Sequence, residues 1–127
     1  MSAVDTTRAF PAKPSSLRAV RRWLQIEVQD DLGGDDLEDL QLAVTEACAN
    51  AIRHSGSTRF IVSVDRSERC IEVTVQDDGV FNDGWRDTDD DSHRGLALID
   101  AVVDEVWMQR GTATSRGTVL RMRKCPA

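Results

Sequence analysis

Between Leu17 and Val28 the apolar residues Leu17, Val20, Trp23, Leu24 and Val28 recur at intervals of three and four, the spacing of one buried helical face. Pro14, Ser15 and Ser16 offer an entry, so a helix is expected from about Ser15 to Gln29. The period returns after Gly33 and Gly34. There Leu37, Leu40, Val44, Ala47, Cys48, Ala51 and Ile52 share one side, while Asp39, Glu46, Asn50 and Arg53 share the other. Asp35 and Asp36 suit the cap and electropositive first turn of this second helix, which should stop near Ser55 and Gly56. The pattern then shortens to a period of two. Phe60, Val62 and Val64 alternate with Ile61, Ser63 and Asp65, and Ile71, Val73 and Val75 alternate with Glu72, Thr74 and Gln76. Two strands joined through Arg66 to Arg69 make an antiparallel pair. Residues 6–11, TTRAFP, read as an edge strand that ends at the first proline, which has no ladder donor.

Residues 82–94 carry no period apart from a lone Trp85 and read as a loop. Gly95 is expected to open a third helix with Leu96, Leu98, Ile99, Val102 and Val103 as its buried side. Val106 to Arg110 and Thr118 to Arg123 follow as closing strands around a turn from Gly111 to Gly117. Helices so few cannot cover both faces of a sheet. The expected fold is α+β: a two-layer sandwich, a mixed and mostly antiparallel sheet of about five strands with three helices on one face.

Composition adds bounds to this picture. With 127 residues, 40% hydrophobic and 30% charged, the chain suits one domain over residues 1–127. A net charge of −6 and a pI near 4.8 repel phosphate backbones, so no direct nucleic-acid partner is expected. No apolar run approaches the roughly 18 residues of a membrane span, and the N-terminal stretch lacks the apolar block of a secretory signal. A cytoplasmic protein with no membrane partner is therefore expected. Cys48, Cys70 and Cys125 are an odd set without metal spacing and read as reduced thiols. Arg18, Arg21 and Arg22 cluster on the outer face of the first helix, as a solvated face or as a contact for a partner or phosphate.

The candidate chemistry begins on the second helix. Glu46 and Asn50 are four residues apart, one turn above the other, flanked by small or apolar Leu42, Ala43 and Ala49. Such a pair is a solvated face or, if something approaches closely, a site. The second inner strand runs into Asp77-Asp78-Gly79, which places a carboxylate at a strand end beside a glycine. That arrangement serves a ligand or simply a turn. A glycine at a helix start, as expected for Gly95, leaves amides for an anion.

Taken together, the order Glu46…Asn50, Asp77-x-Gly79, a variable loop, Arg94-Gly95-Leu96-x-Leu98-Ile99 and Arg116-Gly117-Thr118 resembles the Bergerat ATP-binding fold of gyrase, heat-shock chaperones and histidine kinases. More narrowly, the stretch GLALIDAVVDEV from Gly95 to Val106 is similar to the single-domain anti-sigma factor serine/threonine kinases of bacterial partner switching. The resemblance implies ATP and Mg2+ as cofactors, with Asn50 giving its amide oxygen to the metal and Glu46 acting as general base. It implies Asp77 at the adenine amino group, Gly79 beneath the base, the Gly95 and Leu96 amides on the phosphates with Arg94 beside them, and Thr118 at the adenine end. Arg53 shares the Asn50 face, as a phosphate or ribose contact or as a surface arginine. His54 reads as structural. The implied protein is a homodimer that binds ATP or ADP, sequesters a sigma factor and phosphorylates a small anti-sigma factor antagonist. Two positions depart from the pattern: Phe81 stands at the second glycine of Asp-x-Gly-x-Gly, and His93 at the first glycine of Gly-x-Gly. Side chains there replace close backbone. The alternative they support is a nucleotide-dependent or nucleotide-free protein clamp of the same fold with impaired catalysis.

Overall fold

The computed structural model of the chain describes residues 4–54, 56–79, 90–112, 114 and 117–127, and for residues 4, 5, 54 and 90–95 the backbone alone. The elements run β1 (Val4–Pro11), α1 (Ser16–Val28), α2 (Gly34–His54), β2 (Arg59–Ser67), β3 (Cys70–Asp77), α3 (Asp90–Val102), β4 (Glu105–Gln109) and β5 (Val119–Lys124). The strands form one sheet in the order β1-β2-β3-β5-β4. Every pair is antiparallel, so the mixed sheet expected from the sequence is corrected to an antiparallel one. Consecutive strands joined by short turns or by a returning helix do not need a parallel crossover.

One face of the sheet is buried. Phe60, Val62 and Val64 of β2, Ile71, Val73 and Val75 of β3, and Leu120 and Met122 of β5 alternate inward at a period of two. They meet Val20, Leu24 and Val28 of α1, Leu40, Val44, Ala47 and Cys48 of α2, and Ile99 of α3. On α1 the buried positions Ser16, Val20, Leu24 and Val28 are each four apart, and Ser16 spends its hydroxyl on the Pro11 carbonyl at 2.6 Å. The opposite sheet face carries Ser63, Glu72 and Thr74, half-buried, and Gln76, exposed. Arg18, Arg21 and Arg22 are exposed on α1.

The β2–β3 turn is tighter than the sequence signals. Ser67 pairs with Cys70, leaving Glu68 at φ 52° and Arg69 at φ 69° as a two-residue loop. Positive φ at both central residues matches the twist of the flanking strands. Neither residue favours that backbone, and Glu68 recovers an ion pair with Arg123 at 3.2 Å.

Three expectations are corrected. Helix α3 begins at Asp90, not at Gly95. Asp90, Asp91 and Ser92 are residue types that favour a helix start, and they outweigh the interior-glycine penalty of about 1 kcal/mol. Ala43, read as a flank of the polar face, is fully buried. The cysteines are not all reduced: Cys70 and Cys125 form a disulfide with Cα atoms 4.2 Å apart. Ile71 pairs with Lys124, so one rung further Cys70 stands directly opposite Cys125, where antiparallel Cα atoms come closest.

The C-terminal segment closes this end of the sandwich. The Lys124 ammonium reaches the Val102 carbonyl at the end of α3 at 2.8 Å, Asp39 at 3.4 Å and Asp36 at 3.8 Å. One cation thus satisfies an orphan helix carbonyl and binds the acidic start of α2 to β5.

Candidate functional site

At the other end of the sheet, β3 finishes on Asp77, which is buried with 7% of its surface exposed. The β3–β5 ladder runs one rung past its last strand pair, because the Asp77 amide donates to the Thr118 carbonyl at 3.1 Å. That rung places Asp77 and Thr118 side by side. Asp77 Oδ1 accepts from the Gly79 amide at 2.9 Å and from the Thr118 amide at 3.4 Å. The Ser57 hydroxyl also supports the carboxylate. Burial pushes the Asp77 carboxyl above its usual range, and the nearby Asp78 charge adds to the rise. The amides of Gly79 and Thr118 and the Ser57 hydroxyl oppose it. A carboxylate offers about four acceptor positions. Two amides and one hydroxyl reach it among the described residues, which leaves one position for a further donor.

Around Asp77 the backbone is unusually close. The Gly117 amide donates to the Gly79 carbonyl at 2.8 Å, and Gly117 holds φ at +112°, a conformation that suits glycine. The Gly111 amide donates to Thr118 Oγ1 at 2.9 Å within a buried contact. Asp78 donates its amide to Ser57 Oγ at 3.1 Å. Ser57 lies three residues beyond the end of α2 at His54. Three residues span at most about 10 Å, so the end of α2 lies close to the Asp77 cluster.

On α2 the polar face forms its own cluster. Arg53 donates to Asn50 Oδ1 at 3.1 Å and stands 3.8 Å from the Glu46 carboxylate. Glu46 and Asn50 are half-buried and Arg53 is exposed. The guanidinium therefore sits between the two groups the sequence singled out and engages the Asn50 oxygen.

Sequence-derived candidates thus gather in two groups, Glu46, Asn50 and Arg53 on α2, and Asp77, Gly79 and Thr118 at the β3 and β5 ends. A third set rides on α3, which packs against α2. Leu96 is half-buried against the core. Gly95 is the sixth residue of α3, past the first four whose amides lack partners inside the helix. The free-amide expectation at Gly95 is corrected accordingly. The side chains of Arg94, His93 and His54 lie outside the described residues, as do Phe81, Trp85, Arg116 and most of the loop expected over 82–94. Ser57, Gly111 and Gly117 belong to the Asp77 cluster, and the sequence reading gave none of them a role. Gly111 and Gly117 bounded an expected turn, but nothing in that turn reveals that two glycines face a third from a distant strand.

Among the described residues no cluster of three or more His, Cys, Asp or Glu could hold a metal alone. The Asn50 amide oxygen is a hard donor of the kind Mg2+ accepts, a cation that takes one or two protein oxygens and completes its shell with phosphate and water. The groups gathered at Asp77 suit a base: a buried carboxylate, a hydroxyl beside it, and glycine backbone in place of side chains.

A family model described as a histidine kinase-like ATPase domain matches residues 10–124. Serine-protein kinase RsbW of Bacillus velezensis is 33% identical over 130 aligned positions, covering 84% of this chain and 78% of that protein. Its counterpart in Bacillus subtilis is 33% identical over 123 positions, covering 78% and 74%. Among solved structures, the RsbU and RsbW domains of a Mycobacterium tuberculosis protein superpose with a TM-score of 0.74 at 20% identity. That match covers 94% of this chain and 31% of the longer one, and speaks for the fold.

Proposed function

The chain belongs to the histidine kinase-like ATPase family, alongside the RsbW serine-protein kinases, and from that premise we propose that it binds Mg2+ and ATP and phosphorylates a protein serine. On the resemblance given above, it holds a sigma factor, and the serine belongs to a small antagonist of that hold. The observation that carries the reading is Asp77, a buried carboxylate kept ionisable at a strand end with an acceptor position unspent. Burying a carboxylate costs stability, which the Gly79 and Thr118 amides and the Ser57 hydroxyl offset only in part.

In this reading Asp77 accepts from the adenine amino group, and the Thr118 hydroxyl lies beside it. Gly79 keeps side-chain bulk away from the base. Bound Mg2+ supplies charge neutralisation on the phosphates, with Asn50 as its protein oxygen. Arg53 then leaves Asn50 and turns its guanidinium to the phosphates. Glu46, one turn before Asn50, accepts the proton of the attacking serine hydroxyl, which is a poor nucleophile until that proton has somewhere to go. Arg94, one residue before Gly95, would serve the phosphates as a charged donor, the Gly95 and Leu96 amides being engaged inside α3.

The second reading, a nucleotide-free clamp, is favoured by one observation. Helix α3 as it stands holds the Gly95 amide inside the helix. Calorimetric titration with ATP and Mg2+ separates the two. The kinase reading predicts binding, weakened by roughly 1.5 to 3 kcal/mol in Asp77→Asn, because an amide group would turn a donor toward the adenine donor. No heat at millimolar ATP would leave the clamp.

A further inference from the structure

Gly111 has no positive φ that would demand glycine, so its identity has another cause. That cause is space. A Cβ at Gly111 would fall inside hard contact with the Gly79 carbonyl oxygen, 2.8 Å from the Gly117 nitrogen and 3.0 Å from the Gly117 carbonyl carbon. All three are backbone atoms, and none can rotate away as a flexible side chain would. Gly111 is therefore the point at which the chain after β4 touches both the segment after β3 and the segment before β5. The Gly79 peptide cannot shift without consequence. Its amide holds Asp77 Oδ1 at 2.9 Å, and its carbonyl takes the Gly117 amide at 2.8 Å.

The Gly111 amide has a second effect. It donates to Thr118 Oγ1 at 2.9 Å and so occupies one lone pair of that hydroxyl. A hydroxyl has one proton and two lone pairs, and no hydrogen bond among the described residues uses the Thr118 proton. The hydroxyl keeps its proton to give beside the Asp77 carboxylate, with one of its two acceptor positions already filled. An acceptor next to a donor complements a ligand edge that offers a donor next to an acceptor. Adenine has that edge, in its amino group and ring N1. Guanine presents the opposite pattern, an O6 acceptor beside an N1 proton.

We infer that Gly111 is a positioning residue for base selection: its bare α-carbon lets Gly79 and Gly117 close around Asp77, and its amide turns the Thr118 hydroxyl toward the ligand as a donor. The inference rests on the ATP-site reading above and adds to it a residue that never touches the nucleotide. Its signature is a loss of selectivity. A defect confined to the base end weakens ATP and leaves the poorer ligand GTP where it was.

The test is calorimetric titration of wild type and Gly111→Ala with ATP and with GTP, each with Mg2+, accompanied by thermal unfolding of both proteins. Expected is a folded variant whose ATP affinity falls by about tenfold or more while GTP affinity holds, so that the ATP-to-GTP ratio falls by the same factor. Phosphate transfer should show a raised KM for ATP with kcat kept at saturation, since Glu46 and Asn50 lie on α2 and touch none of these atoms. ATP affinity within about twofold of wild type in the folded variant, or equal losses for both nucleotides, overturns the inference. Should Gly111→Ala not fold, wild type titrated with 1-deaza-ATP decides. That analogue lacks the ring acceptor and should bind about tenfold more weakly than ATP. Equal binding would show that Thr118 does not donate, and the inference falls. Wild type that binds no ATP at all removes the nucleotide-site reading and this inference with it.

Discussion

Asp77 carries two opposed demands. Its carboxyl is raised by burial and by Asp78 against the help of Gly79, Thr118 and Ser57. A raised folded-state value means that the stabilising contribution is complete below the unfolded value of about 3.9 and is lost as pH rises through the folded one. At neutral pH the ionised group therefore works against the fold. Binding has the opposite sign, since an adenine amino group needs the ionised acceptor. ATP affinity is accordingly expected to fall as pH is lowered, starting above the ordinary carboxylate range of about 4. Affinity measured by titration at a series of pH values checks this, and Asp77→Asn should flatten the profile. At neutral pH the same variant should unfold no lower than wild type, with any margin shrinking toward acid. A profile in Asp77→Asn as steep as in wild type would place the titrating group elsewhere. The carboxylate itself was legible as a charge at a strand end. Its contact with Ser57 was not, nor the packing of Gly111 and Gly117 about Gly79, because these residues come from segments remote in the chain.

Elements differ in how much their local sequence says. The helices α1 and α2 and the strands β2 and β3 lie within a residue or two of the bounds expected from periodicity, because each buries one face and the period is set by that face. The start of α3 expected at Gly95 falls at Asp90 instead, because a helix already under way carries a glycine at modest cost. The Cys70–Cys125 bond was missed for a different reason. The two residues are 55 apart, and only the β3–β5 register shows that they share a rung. This bond makes a prediction for the sheet. Closing a loop of that length restricts the unfolded chain and is expected to contribute about 2 to 4 kcal/mol. Denaturant unfolding with and without a dithiol reductant measures it. Reduction should lower the midpoint, and Cys125→Ser should unfold like the reduced protein in both conditions. Identical midpoints for oxidised and reduced wild type would contradict the contribution. Cys48 plays no part, since its thiol is buried and raised by that burial.

At the scale of the whole molecule the two ends of the sandwich do different things. One end is tied off by the disulfide and by Lys124, which binds the start of α2, the end of α3 and β5. The other end gathers Asp77, Gly79, Thr118 and Gly111 beside the end of α2. Helix α2 connects them, with its acidic first turn in the tied end and Glu46, Asn50 and Arg53 nearer the other. Motif order in the sequence named the candidate residues that stand on this frame. It could not show that Arg53 covers the Asn50 oxygen, since an i to i+3 contact is one of several that a surface arginine can choose. The proposed chemistry is transfer of phosphate from bound ATP to a serine hydroxyl whose proton Glu46 accepts. Mass spectrometry of the intact antagonist protein after incubation with Mg2+ and ATP tests it most directly. Wild type should add one phosphate to a serine, and Glu46→Ala should bind ATP with unchanged affinity yet transfer slower by a factor on the order of 100 or more. Undiminished transfer by Glu46→Ala, or none by wild type that binds ATP, would contradict it.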